Sequence, residues 1–319
     1  MTSESFEKVV LVCRKTRLKE LLERFCSIAQ ARFYLEHSGA DFHDYDLEDK
    51  AYEAALASVR AQVGRFPSLK LQVLDRAFVP SYLFSPRDLI VVVGQDGLVA
   101  NTAKYVGAQP IIGVNPDPGR FDGILSPVSV CSVGRAIQQV LRGEAKVQEV
   151  ALAEAVLNDG QRLLAFNDLF IGAASHVSAR YQICYRGLSE SHSSSGVIVS
   201  TGAGSTGWLS SIFNMVSAFG GGGDSGRTSV SHRRQWQWDE RLLAFVVREP
   251  FVCRHSSASV VIGTLAAADE LLLESRMPAG GVIFSDGCQE DALSFNSGAT
   301  ARIRVSDVRS ALVMPGLSR

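Results

Sequence analysis

An apolar run ends in a glycine turn that carries a single acidic residue, Asp96. Residues 91–97 read VVVGQDG, so a β-branched run stops at Gly94, and Gly97 follows the acid. At the carboxyl edge of an open α/β sheet, such glycines let backbone N–H groups approach an anion, and the N-terminus of a following helix, predicted near residues 100–104, favours negative charge. Asp96 can then orient or deprotonate a hydroxyl or hold Mg²⁺ through water, or it can be an ordinary helix cap.

A second turn is rich in glycine and hydroxyl groups. Residues 197–208 read VIVSTGAGSTGW, and the glycines match G-x-G-x-x-G after a predicted strand. A dinucleotide-binding Rossmann unit also needs an acid about 20 residues later, whereas residues 213–223 lead into a glycine tract. The match is therefore weak support for a Rossmann site. The hydroxyl-rich turn can still bind phosphate, ribose or the edge of a base.

The third segment is the polar pair Asn167-Asp168, which lies between two apolar runs. Such a pair is typical of a β-turn, because short polar side chains bond to their own backbone. It can also bond to the hydroxyls or base edge of a nucleoside. Both interpretations remain open from the residues alone.

The elements around the first turn alternate between strand and helix patterns. The predicted strands cover residues 8–13, 69–74, 88–93 and 110–114, and helical patterns begin at Thr16 and cover residues 51–63. The polar residues 36–50 predict an exposed loop. The run 88–93 lacks polar alternation, as in a strand that is covered on both faces of a parallel sheet. This β-α-β rhythm predicts an open α/β domain over residues 1–147.

The second half is predicted to be a β-rich, antiparallel domain over residues 148–319, with a C-terminal tail that can return to the first domain. Its strand-like runs are short and separated by Gly, Ser, Asp and Asn turns. Residues 219–231, with four consecutive glycines, predict a flexible loop, and residues 233–238 after it read as a mobile flap or as a strand entry. The predicted strands are residues 163–166, 181–185, 196–200, 243–247, 259–261, 271–274, 282–285 and 301–305.

Composition excludes several classes of protein. The 319 residues are 46% hydrophobic and 20% charged with a net charge of -1, which argues against a general nucleic-acid binder. The longest apolar runs, residues 89–93 and 242–247, are far shorter than the roughly 20 residues of a membrane helix. Six scattered cysteines without a C-x-x-C pair predict neither a metal site nor disulfides. A cytoplasmic protein that binds neither nucleic acid nor membrane is expected.

Taken together and in this order, the three segments resemble the NAD kinase family. Members carry a G-G-D-G-T turn in an α/β domain, then an Asn-Glu pair and a T-G-S-T-A-Y-like turn in a β-rich domain. The similarity spans roughly residues 88–313, and its Asn-x-Asp-Pro-x-Arg and Arg-Glu-Pro pieces look most like the mitochondrial-type branch. The counterparts here are residues 94–98, 167–168 and 204–208, with further similarity at residues 113–120, 248–250, 286–287 and 295–299.

The resemblance implies transfer of phosphate from ATP, or polyphosphate in some members, to the 2′-hydroxyl of the adenosine ribose of NAD. Asp96 would orient or deprotonate that hydroxyl, and Gly94 and Gly97 would admit the donor phosphates, which Mg²⁺ accompanies. Arg120 is a weaker candidate for a phosphate contact. Members are usually homo-oligomers through the β-rich half, so a homodimer or homotetramer is expected.

On the acceptor side, the resemblance implies that Asn167 and Asp168 bind the adenosine part of NAD. Ser205, Thr206 and Trp208 would line the same pocket. Trp208 stands where the family often has Tyr, so stacking can survive but the phenolic hydrogen bond cannot.

Three positions depart from the family pattern. Gln95 replaces a glycine, which predicts a strained φ and a side chain in the path of the phosphates. Leu98 replaces a threonine, and Asp168 is one methylene shorter than glutamate, about 1.5 Å of reach. Gln95 and Leu98 raise a second hypothesis, a regulatory NAD-binding protein with lost or weakened phosphoryl transfer. A related lipid or small-metabolite kinase is a third, since G-G-D-G turns also occur there.

Overall fold

The computed structural model describes residues 6–220 and 236–315, which form two compact units. One unit comprises the described residues of Met1–Gln148 and Ala311–Arg319, and the other comprises Glu149–Ser310. The boundary at 148/149 lies beside the predicted one at 147/148.

The first unit contains a parallel sheet with the strand order β4-β3-β1-β2. All six residues of β3 are buried, as the unbroken apolar run predicts. Ala311 and Leu312, near the end of β17 (Thr300–Met314), pair parallel with β4. The remaining strands are β1 (Lys8–Cys13), β2 (Lys70–Asp75), β3 (Asp88–Val93), β4 (Pro110–Asn115) and the short β5 (Val128–Ser129), which pairs with β4.

The described part of the first unit contains five α-helices, and side-chain caps define where three of them begin. Thr16, Ser27 and Asp41 each accept a backbone N–H from the first turn that follows. The helices are α1 (Arg17–Phe25), α2 (Ile28–His37), α3 (Phe42–Val63), α4 (Asp96–Ala103) and α5 (Val133–Leu141).

The prediction of an exposed loop over residues 36–50 is wrong, because α3 already begins at Phe42. Its first turns are polar because they form ion pairs with the segment after β1. Glu48 is buried and pairs with Arg14 and Arg17, and Asp44 also pairs with Arg17. Tertiary ion pairs thus replace the apolar periodicity on which the sequence-based prediction relied.

The second unit consists mainly of two antiparallel sheets, as predicted, together with helix α6 (Trp208–Gly220). The predicted strand at residues 259–261 is wrong, since the strand there begins at Ile262. One sheet contains β10 (Leu188–Ser194), β9 (Ala179–Tyr185), β14 (Leu271–Ser275), β17, β6 (Lys146–Leu157) and β7 (Arg162–Ala165). The other has the order β13 (Ile262–Ala266), β12 (Leu242–Val247), β11 (Val197–Ser200), β8 (Asp168–Ala173), β15 (Gly281–Ser285) and β16 (Cys288–Ser294).

The core of the second unit is built from alternate residues of these strands. In β8, Leu169 and Ile171 are completely buried in it. Because side chains alternate along a strand, Asp168 and Phe170 share the opposite face. The fold-class prediction, an α/β domain followed by a β-rich domain, is confirmed.

Within residues 6–220 and 236–315, no helix combines the length and apolar character needed to cross a membrane. The predicted flexible loop over residues 219–231 and the flap after it lie almost entirely in residues 221–235, outside the part of the chain that the structure describes.

Candidate active site

Asp96 lies in the first turn of α4 and holds a neighbouring loop. Its carboxylate accepts three consecutive backbone N–H groups, from Ile124 at 3.0 Å, Leu125 at 3.0 Å and Ser126 at 3.1 Å. The Ser126 hydroxyl in turn donates to the carbonyl of Gly94 at 3.0 Å. The turn after β3 and the loop 124–126 are therefore fixed to each other by the Asp96 carboxylate and by the Ser126 hydroxyl.

Glycine makes room for this loop. A Cβ on Gly113 in β4 would lie 2.1 Å from the carbonyl oxygen of Leu125, closer than any side chain can approach. Gly123 has a φ of +69°, and a Cβ there would lie 2.5 Å from the side-chain nitrogen of Asn115. The loop that Asp96 holds can therefore pass β4 only because these two positions lack side chains.

Gln95 and Leu98, the two residues of this turn that depart from the family pattern, have different surroundings. Gln95 is exposed and has a φ of -74°, so the predicted strain at this residue is wrong. Leu98 is buried, and its Cδ2 lies 2.7 Å from where a Cβ on Gly94 would be. Leu98 therefore fills the space beside Gly94. Gly97 is exposed, with no described neighbouring atom within 4 Å of its Cβ position.

Arg120 forms ion pairs within the first unit. Its guanidinium lies 2.7 Å from the Asp44 carboxylate and 3.2 Å from that of Asp117. Hydrogen bonds from Arg120 and then Arg17 hold the pKa of Asp44 below its usual value. A phosphate bound by Arg120 would have to compete with these carboxylates, and the predicted contact stays a prediction.

In the second unit, Asp286 plays a part that sequence reasoning missed. It has a φ of +53° in the tight turn between β15 and β16, followed by Gly287 at +70°. Its carboxylate accepts the backbone N–H groups of Phe166 at 2.9 Å, Asn167 at 2.6 Å and Asp168 at 3.2 Å. The sequence offered two signals, the Asp-Gly pair that is typical of a hairpin turn and the family resemblance at residues 286–287.

The hydroxyl-rich turn packs against the same backbone. The Thr201 hydroxyl donates to the carbonyl of Phe166 at 2.6 Å, and the Thr201 N–H donates to the carbonyl of Asn167 at 2.9 Å. A Cβ on Gly204 would lie 2.3 Å from that Asn167 oxygen, so glycine is required for the close approach. The structure therefore brings together two segments that are more than 30 residues apart along the chain.

The two hydroxyl residues that follow have different surroundings. Ser205 donates its hydroxyl to the carbonyl of Gly202 at 2.7 Å, which stabilises the turn itself. Thr206 is exposed. Their predicted contacts with a ligand stay predictions.

Asp168 is the most perturbed acid of this region. Its Oδ1 atom is buried and has no hydrogen-bond partner among the residues that the structure describes. Burial, and secondarily the charge of Asp286, raise the pKa of Asp168 to about 7, although a hydrogen bond with the Ser200 hydroxyl opposes the rise. An acid with such a pKa can take up or release a proton near neutral pH.

In the second unit, aromatic side chains line a pocket of about 550 Å³, which Asp168 itself does not line. Phe170 stacks on Trp208, with ring centroids 5.8 Å apart and an interplanar angle of 13°, and on Phe284 at 4.9 Å. The Arg248 guanidinium lies 5.5 Å from the centre of the Trp208 ring. Glu249, with a φ of +48°, also lines the pocket. Stacked rings beside a cation and an acid suit a planar, charged ligand.

Comparison with curated proteins gives several NAD kinases. The chain is 32% identical over 130 residues to the enzyme from Clostridium kluyveri and 32% identical over 127 residues to that from Heliobacterium modesticaldum. These matches cover 38% and 37% of this chain and 44% of each relative, so the similarity spans less than half the length of the curated relatives. No protein-family model matches the sequence.

Solved structures share the fold over nearly the whole chain. Yeast NADH kinase complexed with NADH matches with a TM-score of 0.57 and 15% identity, over 98% of this chain and 85% of its own. An NAD kinase from Archaeoglobus fulgidus in complex with ATP matches with a TM-score of 0.52 and 14% identity, over 96% and 93%. The chain is therefore similar in sequence to curated NAD kinases over part of its length, and it shares the fold of these two solved kinases.

Proposed function

We propose that this chain is an NAD kinase, which transfers the γ-phosphoryl group of ATP to the 2′-hydroxyl of the adenosine ribose of NAD and so forms NADP. The observation that carries the proposal is the pocket in the second unit. Its lining includes the stacked rings of Phe170 and Trp208, and Asp168, a carboxyl with an unsatisfied oxygen among the described residues, lies two residues before Phe170 on the same face of β8. Rings of this kind suit a base or a nicotinamide, and a carboxyl suits a ribose hydroxyl.

The donor is ATP as its Mg²⁺ complex, and it binds at the turn between β3 and α4. Gly94 and exposed Gly97 give phosphates access to the backbone, and the α4 N-terminus favours anions. Asp96 has a part in this machinery by fixing the loop 124–126 and orienting the reacting groups. Arg120 is a further candidate for contact with the phosphates.

The acceptor binds in the second unit. Asn167 and Asp168 contact the adenosine, and Ser205, Thr206 and Trp208 line the same site. The protein works in the cytoplasm as a homodimer or homotetramer, an assembly that light scattering coupled to size-exclusion chromatography measures directly.

The experiment is an assay of the purified protein with Mg²⁺, ATP and NAD, in which NADP is separated and quantified. Substitution of polyphosphate for ATP and of NADH for NAD determines the donor and the acceptor. NADP formation supports the proposal. Binding of NAD without NADP formation under any donor would instead support the regulatory NAD-binding alternative, and phosphorylation of a lipid but not NAD would support the third. The relatives, which are named as kinases of NAD, favour neither alternative.

A further inference from the structure

The aromatic pocket of the second unit carries a base and an acid in consecutive positions. Arg248 and Glu249 follow β12 directly, and both line the pocket together with Phe170 and Trp208. The Arg248 guanidinium lies 4.0 Å from the Glu249 carboxylate and 5.5 Å from the centre of the Trp208 ring. The two side chains are 31% and 62% exposed, so a bound ligand can reach both. The pocket therefore offers this charged pair, Arg248 and Glu249, beside stacked rings.

The backbone of the charged pair has an unusual conformation. Glu249 has a φ of +48°, which costs free energy for a residue with a side chain and persists only where neighbouring groups hold it. Ser195 is such a neighbour, because its N–H donates to the carbonyl of Arg248 at 2.9 Å and its hydroxyl donates to the Glu249 carboxylate. Backbone outliers of this kind cluster at ligand sites, which makes Glu249 a candidate for ligand contact.

Gly196 connects the charged pair to the aromatic stack. It accepts the N–H of Arg248 at 2.8 Å through its carbonyl, and its own φ is +101°. A Cβ on Gly196 would lie 2.7 Å from a ring carbon of Phe170, the ring on which Trp208 stacks. The backbone that supports Arg248 therefore passes directly against these rings.

The acceptor of the proposed reaction exists in two forms that differ in charge. Both NAD and NADH contain an anionic diphosphate, but the nicotinamide ring is cationic in NAD and neutral in NADH. An arginine binds phosphate oxygens well. A carboxylate attracts a cation, and the faces of aromatic rings attract a cationic ring in the same way. The charged pair and the rings together are thus complementary to NAD.

We propose that Glu249 is a specificity-determining residue that favours NAD over NADH, by attracting the cationic nicotinamide ring to the wall formed by Phe170 and Trp208. Arg248 attracts the diphosphate, which the two forms share. This inference rests on the proposed function, whose candidate acceptors are NAD and NADH. The charge of Glu249 acts on one acceptor only, whereas a change in the shape of the pocket acts on both.

The experiment measures kcat and KM for NAD and for NADH with Mg²⁺ and ATP, and the Kd of each dinucleotide by calorimetry. Glu249→Gln should raise the KM and Kd for NAD about fivefold and leave those for NADH within about twofold, the effect of one partly exposed charge. Glu249→Asp keeps the charge and should keep most of the preference. Arg248→Gln should weaken both dinucleotides about tenfold, because both contain the diphosphate.

Glu270→Gln is the matched control. Glu270 is an exposed acid of the same unit, and its carboxylate lies 3.8 Å from the Arg302 guanidinium, much as that of Glu249 lies near Arg248. This variant should keep the wild-type ratio of the two Kd values, because Glu270 does not line the pocket.

The outcomes separate the inference from the proposed function. If the wild type phosphorylates either dinucleotide and Glu249→Gln weakens NAD and NADH equally or not at all, only the inference is overturned. If the wild type phosphorylates neither, the proposed function fails and the calorimetric Kd values decide the inference. A selective loss of NAD binding in Glu249→Gln then supports it, and an equal loss or no loss overturns it.

Discussion

Each unit of the molecule contains an aspartate that accepts three consecutive backbone N–H groups, but the two groups of residues around them are built differently. Asp96 holds residues 124–126 from the first turn of a helix. Asp286 holds residues 166–168 from a hairpin turn with a left-handed φ. The second arrangement places another acid, Asp168, among the residues that are held. The same device therefore positions backbone in one unit and a titrating carboxyl in the other.

Each of the two arrangements also depends on a glycine. Gly113 makes room for the loop that Asp96 holds, and Gly204 makes room for the turn that Asp286 holds. In both places an aspartate supplies the acceptor and a glycine permits the approach. The two sites should therefore respond separately to matched substitutions, one through the donor and one through the acceptor.

Asp96→Asn should have the largest effect on activity. An amide retains one accepting oxygen and no charge, so the loop 124–126 loses most of its anchor. We expect NADP formation to fall about 100-fold or more, with a larger change in kcat than in the Kd for NAD. Full turnover in this variant would contradict the importance of the first arrangement. Asp159→Asn, a change at an exposed acid that accepts the Gln161 N–H in another turn, should behave as wild type.

Gly113→Ala and Gly204→Ala should separate the donor side from the acceptor side. Each adds a Cβ within about 2.3 Å of a backbone oxygen, so each should lower the free energy of unfolding by about 1–3 kcal/mol. We expect Gly113→Ala to raise the KM for ATP about tenfold and Gly204→Ala to raise the KM for NAD similarly. Equal effects on both substrates in both variants would show that the two loops do not serve separate ligands.

Gly97→Ala is the control for the cost of the added methyl group. Its Cβ position is open, and the residue lies in helix α4, so stability should be kept or should rise by about 0.5 kcal/mol. If Gly97→Ala lost as much stability as Gly113→Ala and Gly204→Ala, crowding of the added Cβ would not be the cause of their destabilisation.

The stability of the second unit should depend on Asp168 and pH. Since folding raises its pKa from 3.8 to about 7, the folded state holds the proton over that interval, and this contribution to stability is lost as pH rises through it. The stability of Asp168→Asn should therefore be compared with that of the wild type at each pH. This difference in the free energy of unfolding should favour the variant by about 1–2 kcal/mol more at pH 8 than at pH 4, after allowance for partial exposure. Urea denaturation of both proteins at the two pH values measures this, and a difference independent of pH would contradict it.

Substitutions of Gln95 and Leu98, in the turn between β3 and α4, should have the smallest effects, and the two effects on stability should differ. Leu98→Thr removes a buried side chain that packs against Gly94 and should cost about 1–2 kcal/mol. Gln95→Gly relieves no strain, because its φ is ordinary, and should cost about 0.5 kcal/mol through chain entropy. Chemical denaturation gives both values.

The double variant Gln95→Gly, Leu98→Thr tests what these residues do to catalysis. With a wild type that transfers phosphate, we expect little change in kcat for NADP formation. A marked gain in activity would instead favour the hypothesis that the natural turn weakens phosphoryl transfer.

The order of the chemical segments and the fold class follow from the amino-acid sequence alone. Strand β3 and the glycine turn after it could be predicted without tertiary information, because an unbroken apolar run is typical of a strand that is buried on both faces. Prediction from the sequence failed where tertiary contacts, and not the local pattern of residues, determine the structure. The polar start of α3 reads as a loop until Arg14 and Arg17 meet Glu48.

The surroundings of the acids, in contrast, are set by tertiary contacts. Asp286 lies about 120 residues from the backbone that it holds, and no spacing rule connects them. The raised pKa of Asp168 comes from burial and from that distant neighbour, and neither is a property of the local sequence. Residue types fix which groups can ionise or stack, but the environment that sets the proton affinity of a carboxyl is assembled by the fold.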